Sequence, residues 1–516
     1  MENTTMNDAF KAFAAIVGDA RATRDPELVA RYGRSNVQGS YSPAGVLRPR
    51  TREEVIALTQ VAARHRTPLY PISRGQNWGY GAACPAGPGQ VVLDLRDLNR
   101  IIEVNEEIGY AVVEPGVSLR QLYTFLRERD LPWWMDCTDA TPDTSVLGNV
   151  VDRGMGFSAY GDRFANSCAL EVLLADGTVV ETGFSHFLGT RMRHTHKWGV
   201  GPSIDGVFTQ SNCGIVLRIT VWLMPRPEAF LACFAVTPRE HFEELIDQVR
   251  KLRMANVLPS NVHIVPARWE SPRAPEGSWY TIASFGGPRV VVDAYREAVK
   301  NTLGRFSALF FGDPRDPQED MAKDDAFMAS LGVATSAPTP DDLALRAKVA
   351  QSMLNFGRIQ CGIPMSDDAQ LITVHPQIED PALPARGHYT YGPTSPATGA
   401  QAAELLALLS RVYAKYGIRY TGSSIAFINP RSLVFVAHVV FDRHEPGSPE
   451  RAKQCVDELI ATAMAAGFPP YRVGIQSMNV LDPSGSGYWR AVRAIKRALD
   501  PHDLISPGRY LPGEPS

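Results

Sequence analysis

The chain has 516 residues, of which 44% are hydrophobic, 21% charged and 9% aromatic, the balance of an ordinary globular protein with roughly two to four folding units. Lys plus Arg number 52 and Asp plus Glu 55, a net charge of −3 that argues against nucleic acid or an anionic membrane as the main partner. The longest near-apolar run, Leu433 to Phe441, is about half of a membrane span and contains His438. The opening Met-Glu-Asn-Thr-Thr has no basic stretch leading into an apolar one, so no secretory signal is read there and a cytoplasmic protein is expected.

The first forty residues read as one or two amphipathic helices, with Phe10, Phe13, Ile16 and Val17 at helical spacing. An α/β rhythm follows. Residues 45–47 read as a strand, and Thr51 with Glu54 forms the capping box of a helix running to about His65. The next strand, 69–72, empties into a loop with three glycines in nine residues, 73–81. Strands at 91–95, 101–104 and 110–113 come next, and Ser118 with Gln121 is a second capping box. After a loop-rich stretch from 131 to 161, residues 169–174 and 179–182 form a hairpin around Asp176-Gly177. Another strand pair lies within 214–225.

The rhythm changes near Pro225-Arg226-Pro227. Longer helical patterns (240–253, 291–302, 398–416) follow, spaced by Pro-rich loops, so a boundary is placed near 225. The expected division is 1–225, 226–469 and a tail, 470–516, too short for a domain and obliged to pack back. Seven dispersed cysteines without CxxC spacing read as reduced thiols, most of them small buried hydrophobes, and no metal site is expected.

The loop 73–81 frees backbone N–H groups for phosphate oxygens, but it is neither a Walker loop nor a GxGxxG turn, and spacing alone favours a structural turn. The stretch Pro71-Ile72-Ser73-Arg74-Gly75-Gln76-Asn77-Trp78-Gly79-Tyr80-Gly81 resembles the first pyrophosphate-binding loop of the vanillyl-alcohol oxidase family, which includes para-cresol methylhydroxylase. The resemblance continues through Glu114-Pro115-Gly116-Val117, Ser145-Val146-Leu147-Gly148-Asn149 and Asp152-Arg153-Gly154-Met155-Gly156. It reaches Gln210-Ser211-Asn212, Trp222-Leu223-Met224-Pro225, Tyr471-Arg472 and Ser506-Pro507-Gly508-Arg509, and is thin across roughly 230–460. It implies an α+β fold with two domains: an FAD-binding domain built from residues before about 225 plus the tail, and an α/β cap between. The implied FAD contacts are Ser73, Arg74, Gly75, Gln76, Asn77, Gly79, Ser145, Gly148, Asn149, Gly214, Ile215 and Arg509. His388 falls where family oxidases bond the flavin 8α-methyl group covalently. Some members use an upstream histidine to assist; the only one here before the Gly loop is His65, with no obvious match.

The resemblance also implies a phenolate cage of Tyr80, Tyr471 and Arg472. A phenol with a pKa near about 10 is a poor hydride source when neutral. Two hydroxyls and a guanidinium on its oxygen favour the phenolate, whose electron release expels hydride from the benzylic carbon and leaves a quinone methide. Asp139 matches the family's carboxylate beside flavin N5, with Asp143 as rival; Asp136 and Asp143 read otherwise as solvated loop residues. The implied protein oxidises para-substituted phenols such as 4-alkylphenols, 4-hydroxybenzylic alcohols and allylphenols, with O2 as acceptor, and forms a homodimer or higher homo-oligomer. A cytochrome-linked dehydrogenase remains an alternative, as, more distantly, does a 2-hydroxyacid or sugar oxidoreductase on the same fold.

Overall fold

The computed structural model describes residues 2–37, 41–366, 378, 384–419, 422–481 and 486–511. The opening helix Glu2–Val17 lays Phe13 (0% exposed) and Val17 against Val55 and Leu58 of the helix Arg52–His65. That second helix starts where its cap predicts: Thr51 accepts from the Glu54 amide at 3.1 Å. The box is not reciprocal, because the Glu54 carboxylate accepts from the Arg50 amide and pairs with Arg21. Ser118 likewise caps Leu119–Glu128, while Gln121 donates to the Asn99 carbonyl instead of returning to the cap.

A small sheet runs in the order Ala22–Thr23, Gly45–Leu47, Val91–Asp94, Leu69–Ile72, with its last three strands parallel. Beside it stands an antiparallel sheet in the order Ile101–Asn105, Tyr110–Val113, Ile215–Trp222, Ser167–Leu173, Val179–Glu181. Past Pro225 the chain enters a separate eight-stranded sheet. Sequence periodicity brought out three of its helices, but not Pro340–Gln360, Ser448–Ala465 or the sheet. Two of its long strands, Ala229–Thr237 and Trp279–Gly287, are buried on both faces, and in Ser432–Asp442 the exposed face also carries apolar Val440, so little alternation shows in the sequence. The apolar run 433–441 is one of these strands.

Helices Phe242–Met254, Arg289–Leu303, Gly399–Lys415 and Ser448–Ala465 cover one face of this sheet. The strand Arg386–Tyr391 pairs with Ser432–Asp442, placing His388 opposite Val440 and Thr390 opposite His438. Side chains alternate along a strand. Tyr389 and Tyr391 therefore enter the helix-covered core, at 0% and 1% exposure, and His388 and Thr390 take the other face.

The tail returns to the first sheet. Ile505 bridges Leu69 in parallel, and the Ser506 amide donates to the Leu69 carbonyl. Lys496, 4% exposed, donates to the Asn212 and Ile505 carbonyls and to Asp500. All seven cysteines are buried thiols. Among the described residues no helix is long and apolar enough to cross a membrane.

Candidate active site

Three sequence-distant segments are stitched together at the start of the site. Arg74 donates to the Gly116 carbonyl at 3.1 Å, and Thr141 to Gln76 at 3.0 Å. The Ser145 hydroxyl donates to the Pro115 carbonyl and accepts from the Gly148 amide, at 2.6 and 2.8 Å. Gly148 permits the approach of the first loop, since a Cβ there would lie 2.8 Å from the Ser73 hydroxyl. Gly79 is left-handed, with φ +73°, and a Cβ on it would strike the Thr390 side chain and lie 3.0 Å from Nε2 of His388.

These observations test the fit of an FAD. The space beside Gly79 and Gly148 is taken by Thr390, His388 and Ser73, so the fit rests on the buried Oδ1 of Asn149, which has no protein partner. The residues fit the group. Ile215 is placed differently from a contact residue: its side chain is 1% exposed, in a core with Leu173 and Leu217. Gly214 faces Val172, so only backbone atoms of this pair could serve a cofactor.

The tail supplies the other side of the site. The Tyr471 amide donates to the Gly392 carbonyl at 2.7 Å, the Ile475 amide to the Tyr80 carbonyl at 3.0 Å, and the Thr390 amide to the Gly79 carbonyl at 3.1 Å. Loop 77–81, strand end 390–392 and tail segment 471–475 are thereby fixed to one another. The Arg472 guanidinium lies over the Tyr80 ring, 3.9 Å from its centroid, and its Nη1 is 3.2 Å from Asp152. The Tyr471 hydroxyl is engaged elsewhere in the same cluster; it donates to the Arg153 carbonyl at 2.6 Å.

Burial pushes the Tyr471 phenol up to about 12, and burial, opposed by Arg472, also raises Tyr80. Both hydroxyls therefore stay protonated and able to donate at neutral pH. Burial pulls the Arg472 pKa down, but Asp152 and Tyr80 outweigh it and the net shift is upward.

Asp152 is the hub that sequence reading missed. Besides its ion pair with Arg472 it accepts from Arg509 at 3.2 Å and from the Tyr510 hydroxyl at 2.7 Å. Its only signal was membership of the Asp152-Arg153-Gly154 motif. Arg509 is thus held by Asp152, with Tyr70 Oη 3.5 Å away. Two guanidiniums against one carboxylate leave the cluster with a surplus positive charge.

Asp139 is exposed on one side, while desolvation by the protein on the other raises its pKa, and Thr138, donating at 3.1 Å, opposes the rise. Asp143 instead pairs with Arg120 at 3.3 Å, both side chains 44% exposed. Asp136 corrects the expectation of a solvated loop residue. Its side chain is 8% exposed, paired with Arg163 at 2.5 Å and accepting from the Ser158 amide at 3.0 Å.

His388 meets Asn36, whose amide lies 3.2 Å from Nδ1, and stands edge-on to His438 with centroids 5.4 Å apart. Thr390 reaches Nδ1 of His438 at 3.3 Å, and burial lowers the His438 pKa to about 4 although its ring has an open face. His438 was legible as the one polar residue in the apolar run 433–441. Asn36 left no signal. His65 ends the helix Arg52–His65, as its sequence position suggested.

Comparisons with known proteins agree with this architecture. A family model described as an FAD binding domain matches residues 43–183. The chain is 31% identical to 1'-carboxy-chondrochloren decarboxylase of Chondromyces crocatus, over 99% of this chain and 98% of that protein. It is 30% identical to the 4-cresol dehydrogenase (hydroxylating) flavoprotein subunit of Pseudomonas putida, over 98% of this chain and 95% of the other. The solved structure of p-cresol methylhydroxylase with substrate bound matches at TM-score 0.84 and 27% identity, covering 99% of this chain and 97% of that one. A 4-ethylphenol oxidase from Gulosibacter chungangensis, in an isoeugenol complex, shares the fold at TM-score 0.85 and 24% identity, over 99% and 98% of the two chains.

Fold and site define an FAD-dependent oxidoreductase. Within that class the chain belongs to the vanillyl-alcohol oxidase and para-cresol methylhydroxylase family.

Proposed function

We propose that this enzyme oxidises para-substituted phenols at the benzylic carbon and passes the electrons to O2. The supporting observation is the partly buried Arg472 guanidinium laid across Tyr80 at 3.9 Å, with a retained excess of positive charge around Asp152. A phenol oxygen placed there meets a cation and two protonated tyrosines, which favours its phenolate. Tyr471 would turn its hydroxyl from the Arg153 carbonyl to the substrate.

Ser73, Gly75, Gln76, Asn77, Gly79, Ser145, Gly148 and Asn149 would hold FAD, which when bound supplies the hydride acceptor. His388 would carry it covalently, because Nε2 lies over Gly79 while Tyr389 and Tyr391 turn into the core. Asp139 would take a proton as water attacks the quinone methide. Its raised pKa and open face suit a base, and the surface pairing of Asp143 does not. Residues 1–225 and 470–516 would form the FAD-binding part and 226–469 the cap.

The test is the visible spectrum of the purified protein mixed with 4-ethylphenol, first without oxygen and then with it. Bleaching that returns in air with peroxide formed is the expected result. Bleaching that persists in air and reverses with cytochrome c would replace the oxidase reading by the dehydrogenase one. No bleaching would remove the phenol. His388→Ala should release the flavin in acid while the wild type retains it.

A further inference from the structure

Asn36 is fully buried, and its position is fixed from three directions. Arg443 donates to the Ser35 carbonyl at 2.6 Å, the Cys84 thiol lies 3.2 Å from the Arg34 carbonyl, and the His388 amide donates to the Asn36 carbonyl at 3.1 Å. Gly387 allows this contact, since a Cβ there would come within 2.7 Å of the Asn36 carbonyl oxygen. The side-chain amide faces Nδ1 of His388, with Nδ2 at 3.2 Å. An imidazole Nδ1 donates in one tautomer and accepts in the other. A carboxamide can match either by a half-turn that exchanges its oxygen and nitrogen in nearly the same volume.

We propose that Asn36 is a positioning residue for attachment of the flavin to His388, accepting from Nδ1 before the bond forms and donating to Nδ1 afterwards. This rests on the covalent reading above. Before attachment Nε2 must hold a lone pair, so the single ring proton of a neutral imidazole must sit on Nδ1. The Asn36 oxygen selects that tautomer. Attachment joins Nε2 to the 8α-methyl carbon. One methyl proton and the Nδ1 proton are given up, and two electrons remain on the ring system. Dioxygen removes the two electrons with two protons as hydrogen peroxide. The linked neutral imidazole has no N–H left, so its Nδ1 only accepts. Asn36 lies within hydrogen-bond distance of Nδ1, at 3.2 Å, in the place from which either amide orientation can reach the ring. Aspartate could perform the first duty alone, and leucine neither.

The experiment follows covalent incorporation in wild type, Asn36→Leu and Asn36→Asp, purified from flavin-limited cells and mixed with excess FAD in air. Flavin retained by the acid-precipitated protein is measured against time. Asn36→Leu should incorporate on the order of tenfold more slowly, the scale of one buried hydrogen bond, and Asn36→Asp should stay within about threefold of wild type. Quenching of FAD fluorescence on mixing reports reversible binding and hence folding; should Asn36→Leu fail it, Asn36→Ser, too short to reach Nδ1, makes the same comparison. Incorporation at the wild-type rate without the amide, or an Asp variant as slow as the Leu variant, overturns the accepting role. Once linked, the Asp variant should show a lower flavin midpoint potential, because an anion replaces a neutral donor; an unchanged potential overturns the donating role. A wild type that releases all of its flavin in acid overturns the covalent reading instead, a separate result.

Discussion

Tyr80, Tyr471 and Arg472 differ in what each can give a bound phenol. Arg472 brings charge, already oriented by Asp152, whereas the Tyr471 hydroxyl must leave the Arg153 carbonyl. Tyr471→Phe, Arg472→Ala and Tyr80→Phe should each lower kcat/KM on a para-alkylphenol by roughly tenfold to a hundredfold or more, with Arg472→Ala the worst. Double variants should cost less than the product of the singles, because in the proposed cage all three serve one oxygen. The methyl ether of the same substrate should be inert, and turnover of that ether at a similar rate would remove the cage from the mechanism.

Asp139 adds a pH effect. Only its ionised form accepts a proton, and a raised pKa means that form is lost on acidification at a higher pH than for an ordinary carboxylate. The acid limb of kcat/KM should therefore lie above the usual carboxylate range and vanish in Asp139→Asn, together with most of the rate. Residual flux with 4-ethylphenol should change its ratio of 1-(4-hydroxyphenyl)ethanol to 4-vinylphenol. Asp143→Asn should leave rate and ratio alone, and a crippled Asp143→Asn beside a normal Asp139→Asn would reverse the assignment.

Among elements, the loop 73–81 and the strand Arg386–Tyr391 are mutually dependent through Gly79. Its positive φ and the closeness of Thr390 and His388 both forbid a side chain. Gly79→Ala should cost more than about 1 kcal/mol of stability and loosen flavin binding, read by denaturant melts and by flavin content. Asp152 joins the short helix Val146–Val151, of which it is the C-cap, to the tail. Asp152→Ala strands two guanidiniums that are largely buried, at about 3 kcal/mol, and should lower the melting midpoint more than Arg472→Ala does. The capping boxes carry a smaller lesson. Each cap residue bonds as its spacing predicts, but Glu54 and Gln121 are claimed by Arg21 and Asn99, partners only the fold brings near.

At the scale of the whole molecule, the tail closes the structure by joining the first sheet while delivering Tyr471 and Arg472 to the strand end at Gly392. Lys496 anchors it through two carbonyls and Asp500. Lys496→Met should free this segment, lowering the melting midpoint and opening the tail to limited proteolysis, with flavin content falling in step. Unchanged protease resistance would show that the Ile505–Leu69 bridge suffices.

The sequence by itself determined the capped helices and most strands of the first 225 residues, where each signals its own period and cap, but not the helix Val146–Val151, which lies in a stretch read as loop. It also determined the FAD loop motifs and the Tyr471-Arg472 pair, because ordered motifs need no knowledge of contacts. Tertiary structure alone decided the eight-stranded sheet, whose largely apolar strands show little alternation in sequence. It alone set Asp136 against Arg163, Asp152 at the centre of three partners, and Asn36 at Nδ1 of His388. Each of these is a pairing of polar groups far apart in sequence, fixed by burial that removes water as the competing partner, and no local spacing records it.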